Sequence, residues 1–272
     1  MRFAFLATIG SLMFVLVVGI LGAVLFQRLR PTAAVDANLP RWAILIGEAL
    51  IMVPLVYILR RSNLPLRETL RLRAVTGPTL RAALMIGLGA AVLIDELDRL
   101  IALVFPLPPS VMGAMDLLVI SNMGEALLMI GGAVVLAPLV EEALFRGFFQ
   151  GQLELGYRDA TKAVLFSSLL FMLLHFNPWW GVQIYVFGMV LGFLAWRTGS
   201  IWPSIYVHAI NNGLALMLAN VDSGSQEWYL TGQHVSPGWL LVAALLLYAG
   251  FRLLLVENPP PPALSGEEGS RQ

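Results

Sequence analysis

Long apolar stretches separated by short polar segments dominate the chain. A helix that spans a bilayer needs about 20 predominantly apolar residues, and eight segments approach or exceed that length. They predict helices near residues 3–27, 42–60, 79–104, 125–153, 160–176, 180–197, 201–219 and 238–256. The pattern therefore predicts an all-α fold, a polytopic membrane bundle of about eight transmembrane helices.

The distribution of polar residues divides this bundle into four parts. Residues 1–124 form N-terminal transmembrane helices, and residues 125–220 form a core that carries three polar motifs. Residues 221–256 supply a loop and the last transmembrane helix. Residues 257–272 contain PPPP followed by SGEEGS, a composition typical of disordered tails.

Composition supports the membrane assignment and excludes several classes of function. Only 12% of the 272 residues are charged and 58% are hydrophobic, whereas about a quarter of a soluble domain is charged. The formal net charge of zero argues against nucleic acid as a partner. The absence of cysteine excludes disulfides, thiolate metal sites and a cysteine nucleophile.

The basic residues predict the orientation in the membrane. Cytoplasmic loops carry an excess of Lys and Arg, and the eight-helix pattern places twelve of these residues on one side and four on the other. The larger set is Arg2, Arg60, Arg61, Arg67, Arg71, Arg73, Arg81, Arg158, Lys162, Arg197, Arg252 and Arg271; the smaller is Arg28, Arg30, Arg41 and Arg99. Both termini are therefore predicted to be cytoplasmic.

The fourth segment contains charges inside an apolar stretch, APLVEEALFRGFFQ. A charge in the bilayer costs at least several kcal/mol unless it is paired or hydrated. Glu142 and Arg146 are four residues apart and share a helix face, so they are predicted to pair. Glu141 lies about 100° around the helix and lacks such a local partner. Pro138 removes a backbone hydrogen bond just upstream.

Two further segments carry polar residues at helical spacing. Phe171 and His175 are four apart, which places an aromatic ring beside the imidazole. The lengths of the two arms predict an antiparallel hairpin with Glu141 and His175 at similar depths. His208 and Asn212 are also four apart, and Asn211 competes with Asn212 for the same role.

Other features are interpreted as structural or have no interpretation. Gly147 and Gly151 form a pair of small residues that permits close contact between helices. The stretch DELDR at 95–99 is predicted to be a solvated helix end, and His234 is predicted to have no specific role. Glu48, in the apolar second segment, has no explanation at this level.

The three motifs together resemble the CPBP family of intramembrane glutamic endopeptidases, which includes the type II CAAX-processing endopeptidases. The family pattern is EExxxR, FxxxH and HxxxN or HxxxD. It corresponds here to Glu141, Glu142 and Arg146, then Phe171 and His175, then His208 and Asn212. The resemblance covers about residues 125–220.

The resemblance implies hydrolysis of a peptide bond in a lipidated protein or membrane-associated peptide, in CAAX-type or bacteriocin-type processing. It implies that Glu141 and His175 activate a water without a cofactor, and that His208 and Asn212 stabilise the oxyanion. Glu142, Arg146 and Phe171 are then supporting residues. The expected location is a prokaryotic inner membrane, among membrane lipids.

Two alternatives remain open at the level of the sequence. Glu141, His175 and His208 form a His₂Glu set that would suit catalytic zinc. A transporter or non-enzymatic scaffold could use the same polar residues for binding, although no inverted repeat is visible.

Overall fold

The computed structural model describes residues 2–29 and 39–259, and these residues are almost entirely helical. Within them the chain forms eight helices of 14 residues or more, one for each predicted segment. They are α1 (Arg2–Leu29), α2 (Leu39–Arg61), α3 (Gly77–Val104), α4 (Met123–Tyr157), α5 (Ala160–Leu173), α6 (Gly181–Thr198), α7 (Trp202–Ala219) and α8 (Pro237–Glu257). The predicted all-α class is confirmed.

Shorter elements connect these helices. They are helical turns at Leu66–Thr69, Pro109–Met115, Asp116–Leu118 and Ser223–Ser225, and a hairpin of Leu230–Thr231 with His234–Val235. The hairpin strands are antiparallel, with Leu230 opposite Val235. All but the first three residues of the predicted disordered tail lie outside the described residues.

Six of the helices are long and apolar enough to cross a membrane: α1, α2, α3, α4, α6 and α8. Helix α5 has only 14 residues, or about 21 Å at 1.5 Å per residue, which is shorter than the hydrocarbon core of about 30 Å. Helix α7 is not among the six. The integral membrane character is confirmed. Among the described residues, six helices meet the length and composition of a span, and α5 and α7 are further helices of the same bundle.

The predicted end of α5 is wrong by three residues. The helix stops at Leu173, because Phe176 adopts a left-handed conformation with φ of 49°. Pro178 disfavours a helical conformation at Asn177, whose side chain instead accepts a hydrogen bond from the Trp179 N–H. His175 therefore lies in the turn between α5 and α6 rather than on a helix.

Helix α4 is not a uniform α-helix. Its central α-helical turns, Ala137–Glu142, are flanked by π-helical segments at Ile130–Leu136 and Ala143–Phe149. In a π-helix each carbonyl accepts from the N–H five residues later, as Gly132 does from Ala137. Such segments inside helices are frequent at functional sites. The two glutamates thus lie between two irregular turns.

Two apolar clusters meet at the middle of the bundle. The first joins α1, α2, α4 and α5 and includes Leu144 and Phe171. The second joins α3, α6, α7 and α8 and includes Phe187 and Val207. His208 contacts a ring from each cluster, with centroid separations of 6.0 Å to Phe171 and 5.8 Å to Phe187. The polar residues of α4 and α7 therefore lie at the boundary between the clusters.

Gly147 and Gly151 of α4 pack against a loop, whereas the sequence predicted that they pack against another helix. A Cβ built at Gly147 would lie 2.7 Å from the carbonyl oxygen of Leu70, and one at Gly151 would lie 3.5 Å from the Arg71 guanidinium. Leu70 and Arg71 belong to the connection between α2 and α3. Gly147 and Gly151 thus admit a loop, and the prediction that they serve a helix–helix contact is wrong.

The prediction of a solvated helix end at 95–99 is also wrong. Asp95 forms an ion pair with Arg99 at 3.0 Å and accepts a hydrogen bond from the Tyr229 hydroxyl at 3.0 Å. Burial, followed by the charge of Asp95, raises the pKa of Tyr229 above its usual value. This part of α3 therefore anchors the connection between α7 and α8.

His234 takes part in the same anchor. Its Nδ1 donates to Glu96 Oε1 at 2.8 Å, and the Val235 backbone N–H donates to Glu96 Oε2 at 2.7 Å. Glu96 thus holds the short hairpin against α3. His234 therefore has a structural role, which the sequence did not predict.

Candidate active site

Glu142 and Arg146 form the buried ion pair that their spacing predicts. Arg146 Nη1 lies 3.0 Å from Glu142 Oε1, and both side chains are completely buried. Arg146 also donates through Nη2 to the Gly188 carbonyl of α6 at 3.2 Å, and its guanidinium lies 4.1 Å from the centre of the Phe171 ring. These contacts tie α4 to α5 and α6 around a charge that the apolar interior could not otherwise hold.

His208 connects this ion pair to the second glutamate. Its Nδ1 donates to Glu142 Oε1 at 3.0 Å, so that one carboxylate oxygen accepts from both Arg146 and His208. On the other side of the ring, His208 Nε2 lies 3.8 Å from Glu141 Oε2. The imidazole thus stands between the two adjacent glutamates of α4.

Glu141 has the more open position of the two. Its side chain is 16% exposed, whereas the Glu142 side chain is completely buried. Glu141 Oε2 is buried without a hydrogen-bond partner, and the separation from His208 Nε2 exceeds hydrogen-bond length. A polar gap of this size between two such groups suits a bridging water.

Asn212 binds the backbone of α4. Its Nδ2 donates to the Ala133 carbonyl at 2.9 Å. In the π-helical register of Ile130–Leu136, Ala133 would accept from residue 138, which is a proline without an N–H. Asn212 therefore supplies the donor that Pro138 lacks, and this contact holds α7 against the irregular part of α4.

His175 is set apart from the other polar groups. Its Nδ1 donates to the Phe171 carbonyl at 2.8 Å, and its ring lies 4.6 Å from the Phe171 ring. The side-by-side arrangement of Phe171 and His175 that their spacing predicts is present. Among the described residues, no hydrogen bond or ion pair joins His175 to Glu141; the Phe171 ring contacts both His175 and His208.

The structure thus assembles Glu141, Glu142, Arg146 and His208 into one connected group. Asn212 lies one turn from His208 on the same helix, and His175 reaches the group only through Phe171. Within the described residues, no three His, Asp or Glu side chains gather in a way that could hold a metal ion.

Three residues that support this group, Gln150, Gly188 and Gly192, were not predicted from the sequence. Gln150 Nε2 donates to the Gly192 carbonyl at 2.9 Å, one turn beyond the contact of Arg146 with Gly188. A Cβ built at Gly192 would lie 2.8 Å from Gln150 Oε1. Two polar residues four apart on α4 thus face two glycines four apart on α6. The matched spacing of the two pairs is the signal that could have revealed the contact.

A cavity of about 1220 Å³ lies near the C-terminal end of α4. Four arginines line it, namely Arg67, Arg71, Arg73 and Arg158. Arg71 pairs with Glu154, which also lines the cavity. The connected group of Glu141 and His208 does not line this space, so the cavity is separate from the candidate active site.

Comparisons with known proteins agree with the motifs. Residues 123–214 match the family described as type II CAAX prenyl endopeptidase Rce1-like. The uncharacterized protein YyaK of Bacillus subtilis (strain 168) is 31% identical over 153 residues, which cover 48% of this chain and 50% of that protein. The chain therefore spans about half the length of this curated relative. No solved structure matches the chain.

The matched segment begins at the first residue of α4 and extends into α7. It contains every residue of the three motifs, from Glu141 to Asn212, and the resemblance stated from those motifs is confirmed. Over residues 123–214, this membrane protein is similar to the Rce1-like family of type II CAAX prenyl endopeptidases.

Proposed function

We propose that the chain is an intramembrane endopeptidase that hydrolyses a peptide bond with a water activated by Glu141. The observation that carries the proposal is the unpartnered, buried Oε2 of Glu141, 3.8 Å from His208 Nε2. A carboxylate oxygen that is not held by the protein can accept a proton from a water beside it. Its neighbour Glu142 also has an Oε2 without a partner, but that side chain is completely buried and its Oε1 is held by Arg146 and His208. The Glu141 side chain is 16% exposed and can be reached by water.

His175 is suited to assist the base. Because Nδ1 donates to the Phe171 carbonyl, the neutral ring keeps its lone pair on Nε2, where it can accept a proton from water. In the proposed reaction His175 approaches Glu141 when the substrate and water fill the space between them, since catalytic hydrogen bonds often tighten only in the bound complex.

His208 and Asn212 are suited to stabilise the oxyanion. The Glu142 carboxylate fixes His208 Nδ1 as a donor, which orients the ring in the way that a carboxylate orients the histidine of a catalytic triad. A protonated His208 would then present Nε2–H to the developing negative charge. Asn212 uses one N–H for Ala133 and retains the second for the substrate, since an amide has two.

The similarity to the Rce1-like family and the membrane setting support a proposal for the substrate class. We propose a membrane-associated peptide or a lipidated protein, processed at a CAAX-type site or in the manner of a bacteriocin precursor. The enzyme would work without a cofactor in the inner membrane of a prokaryote, with both termini in the cytoplasm.

The substitution Glu141→Gln tests the function directly. It removes the base but keeps the shape, so cleavage should cease while the thermal stability of the purified protein stays unchanged. The measurement compares new peptide termini in membranes that contain the wild type, Glu141→Gln or no copy of the protein.

Three outcomes of this comparison are informative. Termini that depend on the wild type and vanish with Glu141→Gln support the endopeptidase. Termini that persist with Glu141→Gln contradict the assignment of the base. Equal peptide sets in all three membranes, with partners that copurify equally with the wild type and Glu141→Gln, would favour a scaffold instead.

A further inference from the structure

Glu48 is a carboxyl group in the apolar middle of α2 that the proposed reaction does not use. Burial of an ionisable side chain at this depth of the membrane costs free energy, so such a residue commonly indicates a functional site. Its Oε2 is buried without a hydrogen-bond partner, as is Oε2 of Glu141. A buried oxygen without a partner at an otherwise apolar position needs a physical explanation.

The packing of α2 on α4 directs Glu48 toward the candidate active site. Leu45 contacts the backbone of Gly132, where a Cβ would lie 3.3 Å from the leucine Cδ1. Ile51 packs in the same cluster as Val140. Glu48 lies three residues from both Leu45 and Ile51, on the face that they share. This face packs against Ile130–Leu136 and Ala137–Glu142 of α4, the stretch that ends with the two glutamates.

The two carboxyl groups are close enough to interact electrostatically. Glu141 also has favourable neighbours, because it interacts with the charge of Arg146 and lies 3.8 Å from His208. Among the described residues, no basic side chain forms an ion pair with Glu48, and the charge of Glu141 acts on it. The environments of Glu48 and Glu141 are therefore unequal.

The remaining charges on the helices around α2 are engaged or distant. Glu142 is held by Arg146 and His208. Glu125, at the start of α4, pairs with Arg41. A last set lies near the helix ends, away from Glu48: Arg2 and Arg28 of α1, Arg60 and Arg61 of α2, and Arg67 and Glu68 of the short helix that follows.

We propose that Glu48 is a second titrating carboxyl of the active site, which stays protonated while Glu141 is ionised. Two carboxylates that interact in a poorly solvated space cannot both be charged without a large cost. The proton remains on the member without cationic neighbours, and a pair with unequal environments separates into an acid and a base. Glu48 is thus a positioning residue that acts through Glu141.

The proposal has a consequence for the reaction, which rests on the proposed function. When Glu48 releases its proton to solvent at high pH, a second negative charge appears beside Glu141. That charge opposes the oxyanion that forms on the substrate, so the rate falls. Glu48 would then set the alkaline limit of activity.

Infrared spectroscopy of the purified full-length protein in lipid vesicles tests the protonation without a substrate. The wild type should show the carbonyl band of a protonated carboxyl group at neutral pH, shifted in heavy water, and Glu48→Gln should lose it. Glu154→Gln is the matched control, because Glu154 pairs with Arg71 and should not contribute. A band of equal intensity in the wild type and Glu48→Gln would overturn the proposal.

A second variant keeps this test decisive if Glu48→Gln folds poorly. Glu141→Gln removes the negative neighbour of Glu48, which makes ionisation of Glu48 easier. The pH at which the band disappears should therefore be lower than in the wild type. A band that titrates at the same pH in both proteins would show that the two carboxyl groups are not coupled, and would overturn the proposal.

The pH dependence of cleavage provides the kinetic arm. Glu48→Gln should shift the alkaline limb of the rate profile to higher pH and leave the acidic limb in place. An unchanged profile in a Glu48→Gln enzyme that cleaves would contradict the role of Glu48 while the proposed function stands. If the wild type cleaves nothing, the proposed function fails, and the infrared bands alone decide the protonation of Glu48.

Discussion

At the scale of single residues, the adjacent glutamates of α4 show how strongly environment separates identical side chains. Glu142 is completely buried and its Oε1 accepts from both Arg146 and His208. Glu141 points about 100° away around the helix and keeps an oxygen without a partner. Because the first balances a buried charge through Oε1 and the second is partly exposed and outside that ion pair, we expect the two to respond differently to the same substitution.

Glu142→Gln should mainly reduce stability. It removes the negative charge that compensates buried Arg146, and breaking a buried pair in this way commonly costs about 3–5 kcal/mol. Thermal unfolding of the purified protein measures this loss, with Glu141→Gln as the matched control. If both variants lost activity equally at full stability, the two glutamates would have been assigned to the wrong roles.

Asn212→Ala should lower turnover by roughly 10²–10³ if the amide is an oxyanion donor. It also leaves the Ala133 carbonyl without its donor, which should lower the free energy of unfolding by about 1–3 kcal/mol. The turnover of each variant is therefore expressed per folded protein. Asn211→Ala is the control, since Asn211 contacts Asn212 only at 3.5 Å.

The same variant discriminates against a zinc hydrolase. In that alternative the metal polarises the scissile carbonyl, so Asn212→Ala should matter far less. Metal analysis of the purified protein accompanies the assay. Stoichiometric zinc that is lost and restored together with activity would make Glu141, His175 and His208 ligands instead.

At the scale of elements, the irregularity of α4 determines how the site is presented. A single proline leaves the Ala133 carbonyl without a backbone donor, and α7 provides the replacement through Asn212. The π-helical turns on either side of Ala137–Glu142 change the direction in which the glutamates point relative to a regular helix. The helix therefore gives up some local stability where the two halves of the bundle meet.

Pro138→Ala tests this interpretation. The new N–H can bond to Ala133, so α4 should become more regular and the melting temperature should rise. The gain in the free energy of unfolding is bounded by the roughly 3 kcal/mol that proline costs in a helix interior. Turnover should fall, because Glu141 is re-aimed and Asn212 loses its partner. Pro54→Ala in α2 is the control; an equal loss of turnover there would dismiss the role of the Ala133 carbonyl.

At the scale of the whole molecule, two apolar clusters enclose the polar group between them. One contains Phe171 and the other contains Phe187, and His208 touches both rings. Large apolar side chains such as Leu84, Leu245 and Tyr248 remain exposed on the outer surface, as expected of a surface that faces lipid. The charges are thus concentrated inside and at the ends of the helices.

The orientation of the bundle remains a prediction that reporter fusions can test. The excess of basic residues on one side predicts a cytoplasmic location for both termini. Fusions at Met1 and Gln272 should both report the cytoplasm, and a fusion in the connection between α7 and α8 should report the opposite side. A C-terminal fusion on that opposite side would refute the predicted path of the chain.

The sequence by itself determined the helical class, the membrane setting, the pairing of Glu142 with Arg146 and the place of Phe171 beside His175. These features depend on hydropathy and on spacings of three or four residues, which are local properties of a helix. The three motifs also sufficed to indicate the family.

Only the tertiary structure decided which polar groups meet. Hydropathy does not encode the rotation of one helix against another, so neither the bridge of His208 between the glutamates nor the contact of Asn212 with Ala133 could be predicted. The same limit applies to Glu48, whose neighbour Glu141 lies 93 positions away in the sequence. The physical reason is that long-range contacts depend on how whole helix faces pack, which spacing along one helix does not specify.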